Sequence, residues 1–180
     1  MVLLPNKLVL SFLLLVACRR DAPPAKAPQA AVEVRPGSVL IIENRAAISR
    51  FLEGERLPFD DVWTPPASAV TFLDAAIPRF LDSHPPGPHD DPELELQNVR
   101  EFSTLREHLG SYVRECAGFQ VAGRRRIICQ FVLMTAAIRT GVADEDRSFT
   151  HVSDGGCEVF RVVADVERRE ILSLGCNGFA

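Results

Sequence analysis

Four groups of side chains in this chain have types and spacing that could do chemistry. His84, His89, Asp90 and Asp91 fall within one short segment, and imidazole with carboxylate is a donor set for a divalent metal. The spacing matches no known ligand pattern, however, and Pro85, Pro86 and Pro88 between them describe a solvated turn, so no metal site is assigned. His151, Ser153 and Asp154 supply the residue types of a base, a hydroxyl and an orienting carboxylate. Strand alternation sends His151 and Ser153 to one face, but no nucleophile elbow or oxyanion donor accompanies them. Asp154-Gly155-Gly156 reads as a turn after a strand, without the following helix that a phosphate cradle needs. Arg124-Arg125-Arg126 is a dense basic run able to meet lipid headgroups, an acidic partner or an anionic glycan. Cys116, Cys129, Cys157 and Cys176 offer either two disulfides or a four-cysteine zinc site, and the absence of any CxxC weighs against zinc.

The elements that must position these groups divide at Pro92. All thirteen prolines lie at or before it, and eight of the eleven glycines lie after it. Proline removes a ladder hydrogen bond and is excluded from central strands, so the second half should be mainly antiparallel sheet. Ala122-Gly123 is a natural two-residue hairpin turn, which pairs positions whose numbers sum to 245. Cys116 and Cys129 meet that condition and fall on a non-hydrogen-bonded pair, where side chains approach most closely. Tyr112, Ile127, Phe131 and Leu133 share their face. A second hairpin turning around Asp165 to Arg168 places Cys157 near Cys176. Four cysteines allow three connectivities; these registers favour 116–129 with 157–176 and leave the other two open.

Before the sheet, Thr64-Pro65-Pro66 reads as a helix start, and Val70, Leu73, Ile77, Phe80 and Leu81 recur at helical spacing. One main helix is expected over 65–82, with Pro78 kinking or ending it and Trp63 packing at its start. Val39 to Ile42 reads as a lone strand, Ile48, Phe51 and Leu52 as a short helix, and Glu93 to Leu109 as a poorly amphipathic second helix. The fold class is therefore α+β, one main helix packed on an antiparallel sheet of hairpins and stapled by disulfides.

At the N-terminus, Lys7, the apolar run Leu8 to Val16 and the small residues that follow read as a secretory signal. The uncharged stretch spans only about 16 Å as helix, short of the ~30 Å of a bilayer core. Leu15-Val16-Ala17-Cys18 resembles the lipobox of bacterial lipoproteins. That resemblance implies cleavage before Cys18, acylation of Cys18 and, with Arg19 rather than Asp next, an outer-membrane anchor. Residues 1–17 are then signal peptide, 18–37 a proline-rich tether and 38–180 a single globular domain. An exported chain meets an oxidising compartment, which again favours disulfides.

With 20 basic against 24 acidic residues, the chain has no field for nucleic acid. Its expected partners are the membrane, through the lipid, and an envelope protein. Further resemblance lies in the order Tyr112-x-Arg114-Glu115-Cys116-x-Gly118, Gly123-x-Arg125, Val152-x-Asp154-Gly155-Gly156, Phe160-x-Val162 and Asn177-Gly178-x-Ala180. This order is similar to that of a group of small bacterial proteins, exported or of unassigned location, with no established activity. In that group an aromatic tends to stand at the position of Cys116, and no cysteine stands at that of Cys129. The group supplies no catalytic residue and implies no cofactor. The leading functional reading is a non-enzymatic binding or interaction module; the alternative is a hydrolase or metal-dependent enzyme using His151 and Asp154.

Overall fold

The computed structural model describes residues 32–85, 92–134, 139–140, 147–152 and 156–177. Its proline-free half supplies the four long strands of the main sheet. Strands β4 (Tyr112–Val121) and β5 (Arg124–Leu133) form the first hairpin, with every pair summing to 245. Ala122 and Gly123 both take positive φ, 50° and 73°, as the mirror-image turn of a two-residue hairpin requires. Cys116 and Cys129 are disulfide-bonded with Cα atoms 4.1 Å apart, the close approach of a non-hydrogen-bonded pair.

Strands β7 (Gly156–Asp165) and β8 (Glu170–Asn177) form the second hairpin, and a register shift between Gly156 and Phe160 lets Cys157 reach Cys176. β7 also pairs with β5. The outer edge of β4 is shared in succession by two short strands. β2 (Val39–Ile41) runs parallel beside Arg114 to Cys116, and β3 (Asp61–Trp63) antiparallel beside Gly118 to Gln120. The result is a mostly antiparallel six-stranded sheet. A separate two-stranded ladder joins β1 (Val32–Glu33) to β6 (Arg139–Thr140).

Tyr112 to Phe119 are buried without a break. Alternate residues of a strand face opposite ways, so both faces of the sheet must be covered. Helices α2 (Leu73–Ser83) and α3 (Pro92–His108) cover the face that carries Cys116 and Cys129. Leu73, Ile77, Leu81 and Leu105 pack there against Tyr112, Ile127, Phe131, Phe160 and Val162. Arg114 reaches from β4 to Asp74 in the first turn of α2 at 2.7 Å. Helix α1 (Arg45–Gly54) covers the opposite face with Ile48 and Leu52, against Ala117, Phe119, Ile128 and Val163. Asn44 caps it by accepting the Ala47 N–H at 2.9 Å. The α+β class holds, with three helices among the described residues, two of them on the disulfide face.

The main helix differs from the expectation in its start and in the place of its proline. The helix expected over 65–82 begins at Leu73, after a single 3-10 turn at Ala67–Ala69. Pro66 stays extended at φ −66° and ψ 150°, and a proline also holds the residue before it out of the helical region, so Thr64-Pro65-Pro66 delays the helix instead of opening it. Pro78 neither ends the helix nor stands late in it. It lies in the second turn, where the lost bond is to the carbonyl of exposed Asp74. Val34 is buried, and the Gly37 N–H donates to the Tyr112 carbonyl at 3.2 Å.

Candidate functional site

On the α1 face the apolar cover is interrupted. Glu115 on β4, Gln130 on β5 and Arg161 on β7 stand directly opposite one another across three strands, a polar row through the middle of the sheet. Gln130 Nε2 donates to Glu115 and, at 2.6 Å, to the Thr150 carbonyl. Arg161 Nε donates to Gln130 Oε1 at 3.2 Å, and its two terminal nitrogens reach Glu55 at the end of α1 (2.9 Å) and Asn177 Oδ1 on β8 (3.0 Å). Asn177 Nδ2 in turn donates to the Val152 carbonyl at 2.6 Å. The row separates the cluster under α1 from a smaller one formed by Val34, Leu40 and Val113.

Glu115 is 1% exposed. It accepts hydrogen bonds from the Thr150 N–H, the Thr150 hydroxyl and Gln130, so it fastens the segment 147–152 to the sheet. Burial pushes its carboxyl above the ordinary 4.5, against the opposing pull of the Thr150 and Gln130 hydrogen bonds and of Arg147. Phe149 of that segment stacks on Phe51 of α1 with ring centroids 3.8 Å apart, and Arg161 lies 5.5 Å over the Phe51 ring. Between α1 and this segment opens a cleft of about 710 Å³, walled by Arg50, Phe51, Glu55, Thr150 and His151 and floored by Gln130 and Arg161. That volume is in the range of small-ligand sites. Glu115 lies beneath the cleft and does not line it.

The residues singled out from sequence are scattered. His151 lines the cleft and is exposed; it makes no hydrogen bond among the described residues, and Ser153 and Asp154 lie outside them. His84 is far from it in the fold, stacked on Phe80 at the end of α2, with Nδ1–H donating to the Phe80 carbonyl at 3.1 Å. His89, Asp90 and Asp91 lie outside the described residues, as does Cys18. The sulfurs of Cys157 and Cys176 lie within 4.8 Å of a Glu101 carboxylate oxygen, but they are bonded to each other, and Glu101 accepts the Cys157 N–H at 3.1 Å to hold α3 against β7. Trp63 packs over Gly118, whose hydrogen leaves room for the indole, and donates Nε1–H to the Phe119 carbonyl at 3.2 Å.

Arg124, Arg125 and Arg126 lie at one end of the sheet. Because β5 lies between β4 and β7, the turn Val166–Arg169 of the second hairpin emerges at that same end, adding Arg168 and Arg169. Both turns are legible in the sequence, but their shared end is not visible from either hairpin alone. A meander order for the hairpins would have shown it, since alternate turns of a meander share an end. The polar row was half legible too: 115 and 130 also sum to 245, whereas Arg161 requires the β5–β7 register.

No helix among the described residues is long and apolar enough to cross a membrane. No protein-family model, curated protein or solved structure matches the chain.

Proposed function

We propose that the mature chain is a lipid-anchored module of the bacterial envelope, held at the outer membrane through Cys18, and that it works by binding. The lipobox at Leu15 to Cys18 supports the anchor, and the proline-rich residues after it suit a spacer. The observation that carries the binding reading is the cleft beside α1. Its floor and walls are built from Gln130, Arg161, Glu55 and Asn177, which orient one another through the hydrogen bonds given above. A ligand therefore meets a fixed pattern of amide, guanidinium and carboxylate edges beside an aromatic wall. Such preorganisation lowers the ordering cost of binding.

The test is a photo-crosslinking residue at Arg50, on the cleft rim, in the full chain in its native envelope, followed by mass spectrometry. A discrete adduct, abolished by Arg161→Met, is expected. A second reading, a hydrolase using His151 and Asp154, draws on the position of His151 in the cleft wall. Turnover of an envelope ester, amide or glycan by the purified chain, lost in His151→Ala, would overturn the binding reading in its favour.

A further inference from the structure

We infer that the arginine-bearing end of the sheet docks the acidic face of a second envelope protein. This rests on the binding reading above but uses a different surface from the cleft. Arg124, Arg125, Arg168 and Arg169 are exposed and Arg126 is half-buried. None of the five enters an ion pair among the described residues, although four other arginines do. The nearby carboxylates Asp60 and Asp165 are engaged with backbone. Asp60 accepts the Ala122 N–H at 2.6 Å, and Asp165 accepts those of Glu167 and Arg168 at 3.0 and 2.9 Å. They shape the two turns and leave the guanidinium edges open.

Two of the five are held in place by aromatic rings. Arg125 lies 5.2 Å over Trp63 and Arg169 lies 5.7 Å over Phe72. Stacking occupies a guanidinium's face and leaves its N–H fork free to take a carboxylate bidentately, with less rotamer entropy left to lose.

Two features select a protein as partner. β2 runs parallel to β4, and Gly37 bonds to Tyr112, so the chain enters the sheet at the end opposite the turns. The ten residues of β4 put about 30 Å between that entry and the arginines. With a tether attached at the entry, the arginines stand at the end of the sheet farthest from the point of attachment. Exposed Glu167 and Glu170 also stand among the arginines. A uniformly anionic polymer would meet these two carboxylates with like charge at a local cost, whereas a protein face can set a carboxylate against each arginine and a polar or basic group against each glutamate. Arginine and tryptophan together are typical of the residues that dominate protein interfaces.

The experiment places a photo-crosslinking residue at Glu167 in the full chain in its native envelope, beside the Arg50 probe. The expected result is a discrete protein adduct from the Glu167 probe. Its yield should fall about tenfold or more in the Arg124→Ser/Arg125→Ser/Arg168→Ser/Arg169→Ser variant and under high salt. The Arg50 adduct, which reports an intact fold, should survive in that variant. Lipid-only or glycan-only adducts at Glu167, no adduct there, or a protein adduct indifferent to the substitutions would each overturn the inference. In any of those cases a retained Arg50 adduct leaves the cleft reading standing, and its loss together with His151-dependent turnover sinks both.

Discussion

Tyr112 is the chain's only tyrosine, buried where the disulfide face meets α3, and its hydroxyl donates to the Cys157 carbonyl at 2.9 Å. Burial first, then the charges of Glu158 and Glu101, push its pKa from 10.0 to about 12. The fold therefore prefers the protonated phenol. Stability from that preference is complete below 10.0 and is lost as pH rises through about 12. Phenolate absorbance should rise in the native protein with a midpoint near 12 and, in denaturant, near the ordinary value; a native midpoint at the ordinary value would contradict this burial. Glu115 poses the same question at low pH. Its folded pKa lies above 4.5, so its contribution is complete below 4.5 and declines as pH rises through the folded value. Glu115→Gln keeps the shape and an acceptor for Thr150 while removing the ionisation. Thermal unfolding of the variant should show a flatter pH profile above pH 4.5 than the parent, and an unchanged slope would show that another group sets it.

Among the described glycines, Gly118 at the β3–β4 contact has the least room for a side chain. A Cβ on Gly118 would come within 2.5 Å of the Trp63 carbonyl oxygen and 2.6 Å of its ring. Gly118→Ala should push β3 off the edge of β4 and cost about 1–3 kcal/mol, the range for overpacking a filled site. Denaturant midpoints and the fluorescence of the single tryptophan measure it, and a neutral result would mean that β3 moves freely. Legibility from sequence also divides by element. The first hairpin could be read to the residue because a two-residue turn fixes all ten pairs at once, Cys116 with Cys129 among them. The start of α2 could not, because the apolar spacing that marks it, Val70 to Leu81, says nothing of the proline pair holding the preceding chain extended. β3 has three residues, too few for a period to show, and is a strand only because β4 offers it an edge. The cleft depends on Arg161 meeting Gln130 across strands joined by a long connection, and no local pattern encodes that register.

At the scale of the molecule, the proposed anchor at Cys18 would set where these surfaces work. A membrane-fraction mass beginning at a diacylated or triacylated Cys18 is expected, and Cys18→Ala should release the chain from the membrane. A membrane-bound product that retains residues 1–17 would refute the lipoprotein reading. The polar row has a separate consequence for how the strands of the sheet find their register. A strand that slips by two residues keeps its inside and outside faces, so the apolar alternation that excludes a one-residue error does not exclude this one. Here a slip of two along the first hairpin would set Glu115 against Ile128 or Val132, both buried, and strand Gln130 among apolar neighbours, leaving buried hydrogen-bonding groups unmatched. The same slip would bring Ile127 or Phe131 opposite Cys116 in place of Cys129. The Cys116–Cys129 bridge can then seal only the alignment that the row favours, and a first hairpin misaligned by two residues is left without that bridge and able to re-pair.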